Sequence, residues 1–244
     1  MLLRRISKHV KAQNWFAVAI DFFIVVIGVY IGIQVSNWND EQRVQSLEAS
    51  YMSRVADELK SNIEVFEREV AFARESRALL RDFIALIDAG VSSDADLVAH
   101  TAAYLSDGVF FAKFGPSHAT FDELKSTGNL DIIKDRSLRE ALIALHAYYD
   151  EGVDTVESNI DWVLQTEPAV YLGFDALRFD SRTSALFAEQ SSAETAQHIR
   201  DNKDLLMRHA ALHYWIKDRT LEILETAAQR SASVLERIEN TRLL

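Results

Sequence analysis

Two histidines, His209 and His213, have the spacing that most resembles a chemical site, because imidazoles four residues apart on a helix can share one metal ion. Ala210, not a glutamate, follows His209, so the zinc-protease pattern does not complete. Asp204, Asp218 and His198 stand too far along the same expected helix to fill the shell without help from elsewhere. One imidazole is expected on the apolar stripe and the other leaning outward, as bundle histidines do. A second candidate is the run Asp150, Glu151, Asp154, Glu157 and Asp161, which could meet a basic partner or a divalent cation. The same run reads more simply as a charged, exposed helix face. Asp57, Glu58, Glu64, Glu67 and Glu69 interleave with Lys60 and Arg68 at helix-pair spacings. Gly-rich phosphate loops, serine elbows and kinase-like motif sets do not occur. The chain has 0 Cys, which excludes disulfides, thiolate ligands and cysteine nucleophiles. These residues give an expectation of no enzymatic activity and no cofactor.

The elements that would carry these residues are helices. With 8 Gly and 2 Pro in 244 residues, the chain has too few turn formers for a many-stranded sandwich or barrel. The 26 Lys and Arg against 37 Asp and Glu give a net charge of −11, which repels phosphate backbones, so nucleic acid is not an expected partner. Arg4, Arg5, Lys8 and Lys11 form a basic cluster ahead of residue 12 with no acid among them.

Behind that cluster, Trp15 to Ile33 is apolar except for Asp21, Gly28 and Gly32. A helix needs about 20 such residues to cross a hydrocarbon core of about 30 Å. The Ile, Val and Phe side chains each favour insertion by roughly 0.3–0.6 kcal/mol, whereas one aspartate costs about 2.5–3.5 kcal/mol, so insertion wins. Trp15 and Trp38 bracket the span where interfacial aromatics belong, and the basic leader places the N-terminus in the cytoplasm. Residues 32–37 offer no small-residue cleavage site, so the span is expected to be an uncleaved anchor. The expected organisation is a basic cytoplasmic leader over 1–14, a transmembrane helix over 15–38 and an extracytoplasmic helical domain over 39–244. With 14 residues ahead of the span, no cytoplasmic output domain is expected.

Ala17, Asp21, Gly28 and Gly32 fall on one face of that helix, with Ser36 close to the same stripe. Small residues at four-residue steps admit a second helix at close range, and Asp21 on that face calls for a donor from a partner rather than lipid. The lesser alternative is that the stripe is the ordinary small-residue content of a membrane helix.

From Ile33 to Ala89 there is no Gly or Pro, and apolar residues recur at steps of three and four, which predicts one long helix. Gly90 stops it, Ser92-Ser93-Asp94 starts a short helix, and Asp107-Gly108 ends that one. The segment from Val109 to Pro116, rich in Phe, reads as an aromatic loop on the bundle, with a ligand pocket as the lesser alternative. Thr120–Ser126 is a brief helix closed by Thr127-Gly128. A further helix begins near Asp135, buries Leu138, Leu142, Leu145 and Tyr149, and is punctuated by Gly152. Another carries Val156, Ile160 and Val163 to Pro168. Residues 169–190 read as short helices and loops. A last long helix buries Leu205, His209, Leu212, Ile216, Ile223, Ala227, Val234 and Ile238. The sum is an all-α protein, a transmembrane helix leading into an elongated antiparallel helical bundle.

Two motifs carry a resemblance. Val25-Val26-Ile27-Gly28 with Gln34 and Asn37-Trp38-Asn39-Asp40 looks like the membrane anchor and exit of a bacterial family of single-pass proteins, domain-of-unknown-function family 6090. Thr120-Phe121-Asp122-Glu123-Leu124-Lys125-Ser126-Thr127-Gly128-Asn129-Leu130, followed by Ile133-Lys134-Asp135, Leu138-Arg139 and Tyr148-Tyr149, resembles that family's internal signature. Asp21 departs from the glutamate usual at its position. The resemblance implies a bacterial inner-membrane location and a helical external domain, and no reaction. Physically, the second motif is a helix, a stop at Gly128, and a buried pair Leu130 and Ile133 leading to the next N-cap.

Together these features predict a single-pass accessory or scaffold subunit whose anchor packs Asp21, Gly28, Gly32 and Ser36 against a larger membrane complex or a second copy. A ligand-sensing bundle signalling through a partner and a metal-binding helical protein are the alternatives.

Overall fold

The computed structural model describes residues 15–90, 93–173, 179–180, 185–186 and 191–242. The basic leader with Arg4, Arg5, Lys8 and Lys11 lies outside them, as do Phe174 and Phe187. The protein is all-α. Helix α1 is continuous over Trp15–Ala89. It ends at Gly90, whose φ of 66° lies in the left-handed region that favours glycine. Residues Met1–Tyr51 and Met52–Leu244 form two units, and α1 contributes to both.

In the second unit, α2 covers Asp94–Ala103 and starts where the Ser93 side chain accepts from the Asp96 N–H. It runs into a π-turn over Tyr104–Gly108. Helix α3 is Ala119–Ser126, closed at Gly128 with φ of 71°, and a 3-10 turn follows over Asn129–Ile132. Asp135 then caps α4, Arg136–Gly173, by accepting from Ser137 N at 2.8 Å and Leu138 N at 3.2 Å. A short antiparallel pair, β1 (Phe179–Asp180) and β2 (Ala185–Leu186), stands in the segment expected to be loops and short helices. Helix α5, Ser192–Asp201, opens with a reciprocal capping box between Ser191 and Glu194, and α6 spans Lys203–Arg242.

Two expectations about these elements need correction. Gly152 and Pro168 do not divide the region after Asp135, because α4 passes through both as one helix. Gly152 is a packing residue: a Cβ there would lie 2.6 Å from Phe114 Cε1 and 3.2 Å from Ile223 Cγ2. In the Leu130–Ile133 pair Ile133 is buried, but Leu130 is half-buried. Its side chain belongs to the short 3-10 turn, which buries no residue of its own.

The three long helices run alternately. Lys60 pairs with Glu239 at 3.1 Å, Arg74 with Glu225 at 2.6 Å, and Arg77 with Asp218, so α6 is antiparallel to this part of α1. These pairs are largely exposed and fix register more than they stabilise, at about 0–1 kcal/mol each. Tyr149 meets Ser231 at 2.5 Å and Trp162 meets Trp215 edge-on, so α4 is also antiparallel to α6. Leu138, Leu142, Leu145 and Tyr149 are all buried, as their spacing predicts. Their aromatic centre is Phe114 stacked on Phe66 at 5.3 Å, with Tyr149 edge-on to both. A second apolar cluster joins Leu80, Phe83 and Ile87 of α1 to Leu97 of α2, Tyr104 of the π-turn, Ile199 of α5 and Leu206 of α6.

Replacing Gly152 by Ala tests this packing. Helix propensity alone favours Ala by about 1 kcal/mol. The collision with a ring held between Phe66 and Tyr149 reverses the sign, and Gly152→Ala is expected to lower stability by about 1–3 kcal/mol in chemical denaturation.

Candidate functional sites

The first candidate is the apolar span. One helix near the N-terminus is long and apolar enough to cross a membrane, and none of its most apolar eighteen-residue stretch is buried. Phe22, Phe23, Val25, Val29, Tyr30 and Ile33 are each more than half exposed. A Cβ built on Gly28 or Gly32 would meet nothing within 4 Å. Asp21, Ser36 and Trp38 are likewise exposed. Trp15 opens the helix, but its side chain and that of Ala17 lie outside the described positions. Exposed apolar surface on this scale is costly in water, and a monomer rarely leaves it uncovered.

The second candidate is a polar column inside the helical domain. His209 and His213 are both buried, at 4% and 0% exposure, which corrects the expectation that one would lean outward. The reason is that α6 is covered on two faces, by α1 and by the segment after the π-turn. The rings stand 4.3 Å apart, the Tyr104 hydroxyl meets His209 Nδ1, and Phe111 stacks on His213 at 4.9 Å. One turn further on, Lys217 is 2% exposed. Its ammonium donates to Ser76 Oγ at 2.8 Å and to the Phe110 carbonyl, and lies 4.6 Å from the centre of the Phe111 ring. His198 belongs to α5 rather than α6, because the chain breaks helix near Asn202. Among the described residues no group of three or more His, Cys, Asp or Glu is placed to hold a metal ion.

Burial sets the protonation of this column. It pushes His209 down to about 4, and burial together with the neighbouring His209 and Lys217 pushes His213 down to about 3. Burial likewise lowers Lys217 to about 7. Lys217 was missed from sequence, although it continues the four-residue step from His209 and His213.

The third feature is a strap, residues 109–118, laid along α1. Ala112, Phe114 and Pro116 point inward while Lys113, Gly115 and Ser117 face out, the period-two alternation of an extended chain. Having no sheet partner, its backbone bonds to side chains of α1. Ser76 Oγ donates to the Phe110 carbonyl at 3.4 Å, and Glu69 accepts the Lys113 N–H at 2.7 Å. Asn62 closes both bonds to Ser117, donating to its carbonyl at 3.0 Å and accepting its N–H at 2.8 Å. Glu58 accepts the Thr120 N–H at 2.8 Å in the first turn of α3, and Arg54 pairs with Glu123. Asn62, Glu69 and Ser76 are spaced by seven and share their heptad position with the buried Val55 and Phe83. Polar residues interrupting an otherwise apolar stripe were the available sequence signal.

The acids Asp150, Glu151, Asp154, Glu157 and Asp161 are exposed along α4, as a solvated face would be.

The buried basic side chains and the strap clamp give two sets of expected outcomes. Between about pH 7 and 10.5, Lys217 is neutral when folded and protonated when unfolded, so stability rises with pH by up to about 1.4 kcal/mol per unit. Lys217→Met is expected to flatten that rise in denaturation curves taken from pH 7 to 10. His209 and His213 give the same sign at lower pH, with stability lost as pH falls below about 6.5 towards their lowered values. Asn62→Ala, which strands both polar groups of Ser117, is expected to cost about 1–3 kcal/mol and to expose residues 109–118 to limited proteolysis. No family model, no curated protein and no solved structure matches this chain.

Proposed function

We propose that this chain is a single-pass, membrane-anchored helical protein of a bacterial inner membrane, serving as an accessory or scaffold subunit of a larger membrane complex. The observation that carries the reading is the wholly exposed apolar stretch of α1. Lipid covers the Ile, Val and Phe side chains, and the basic residues Arg4 to Lys11 hold the N-terminus in the cytoplasm with the helical domain on the opposite side. Asp21 and the open surface at Gly28 and Gly32 lie on one face, which suits a helix of a partner subunit or of a second copy. Placement in domain-of-unknown-function family 6090 rests on the anchor residues and on Thr120–Leu130, and it supports the inner-membrane location.

Alkaline carbonate should leave the protein in the membrane pellet, and release into the supernatant would end the anchor reading. In gentle detergent, stoichiometric co-purification with one membrane complex is expected. Asp21→Leu combined with Gly28→Ile is expected to weaken that association about tenfold, in line with the roughly 1–2 kcal/mol of an interhelical contact, while carbonate resistance is unchanged. Co-purification that survives the double variant would remove the anchor face from the interface.

A further inference from the structure

We propose that His118 and His146 form a one-proton latch, which holds the end of the 109–118 strap against the bundle and releases it when a second proton arrives. The two Nδ1 atoms face each other at 3.3 Å, and the ring centres are 5.4 Å apart. An N–H···N bond between imidazoles needs one donor and one acceptor. It therefore survives with both rings neutral, or with one charged ring donating to the other. Two protonated rings would present two N–H donors head-on, and like charges at that separation repel strongly in a buried site.

The two rings differ in their surroundings. His118, half-buried at the N-terminus of α3, has Asp150 Oδ1 3.8 Å from its Nδ1. His146 is 3% exposed, with Phe121 of α3 stacked on it at 3.8 Å and Tyr149 edge-on at 5.4 Å. The titratable groups beside the pair are Asp150 and Tyr149 on α4, and Tyr149 in turn faces Glu58 and Asn62 on α1 and Ser231 on α6. Most of these are already engaged: Glu58 with the Thr120 N–H, Asn62 with Ser117, and Ser231 with Tyr149. A single proton on the pair therefore leaves one donor facing one acceptor, and the bond persists. Burial, reinforced by the charge on His118, holds His146 down to about 3. A second proton is accommodated by separation of the rings. The movable partner is His118, which follows directly on Ser117 and the Asn62 clamp, so the strap lifts from its α3 end. Once water reaches His146, it recovers an ordinary affinity for protons near pH 6.5, so acid favours the lifted state by about tenfold per pH unit.

Hydrogen exchange on the full chain in detergent micelles, from pH 7 to 4.5 and corrected for intrinsic rates, reads this directly. Below about pH 6.5, opening of residues 112–118 is expected to increase about tenfold more per pH unit in the wild type than in His146→Phe, whose ring keeps the stack on Phe121 but takes no proton. Protection of α4 around Leu142 should not change. Equal slopes in the two proteins would overturn the latch. The wild type alone supplies a second measurement, the proton titration of the His146 ring by NMR. The ring is expected to stay neutral for as long as the strap is protected. A His146 that titrates near pH 6.5 beneath a protected strap would equally overturn it.

Discussion

An extended segment buried against a helix has no ladder to satisfy its backbone, and the helical domain depends on how that problem is solved. Residues 109–118 run extended along α1. Their buried N–H and C=O groups must find partners, since each one stranded costs about as much as a lost hydrogen bond. Helix α1 supplies them from Ser76, Glu69 and Asn62, with Glu58 reaching the first turn of α3. The match is geometric. The seven steps along the strap from Phe110 to Ser117 rise roughly 23 Å at about 3.3 Å each. The fourteen steps along α1 from Ser76 to Asn62 rise roughly 21 Å at about 1.5 Å each. A polar residue at every seventh position of α1 therefore meets the strap at every third or fourth residue.

Once the strap is in place, it positions most of the unusual chemistry. Phe114 enters the aromatic centre and forces glycine at position 152 of α4. Phe110 and Phe111 lie over the Lys217 and His213 end of the polar column. At the other end His118 reaches His146. Titratable groups thus sit at both ends of a segment held by side-chain hydrogen bonds. At these two ends burial lowers the proton affinity of Lys217, His213 and His146.

The α3 N-terminus illustrates why part of this was not legible in sequence. Its N-cap residue is His118, a poor cap, and the motif from Thr120 to Leu130 carries no acceptor ahead of it. The acceptor comes from Glu58, 62 residues away, and the His118 ring is free to turn towards α4. Local rules find a cap only when it is local, as at Ser93 and at Ser191 with Glu194. Lys217 was hidden for a related reason. A lysine on a long helix reads as solvent-facing, and only the strap's arrival over α6 buries it. Gly152 and Pro168 misled in the opposite sense: α4 runs through both residues that a local reading takes as punctuation, and at Gly152 the close approach of Phe114 is the reason for the glycine.

The sequence by itself determined the all-α class, the continuity of α1, the apolar stretch able to cross a membrane, and the buried face of α4. Each follows from periodicity and from the near absence of Gly and Pro, properties that neighbouring residues fix together. On α6 the expected Leu205, Leu212 and Ile223 are half-buried, and Leu206, Leu221 and Leu224 lie inside instead. Only the tertiary structure decided that both His209 and His213 are buried, that Asn62, Glu69 and Ser76 hold a strap, and that His118 meets His146. Those pairings join residues far apart in the chain, and a hydrogen bond between distant residues depends on the path of everything between them.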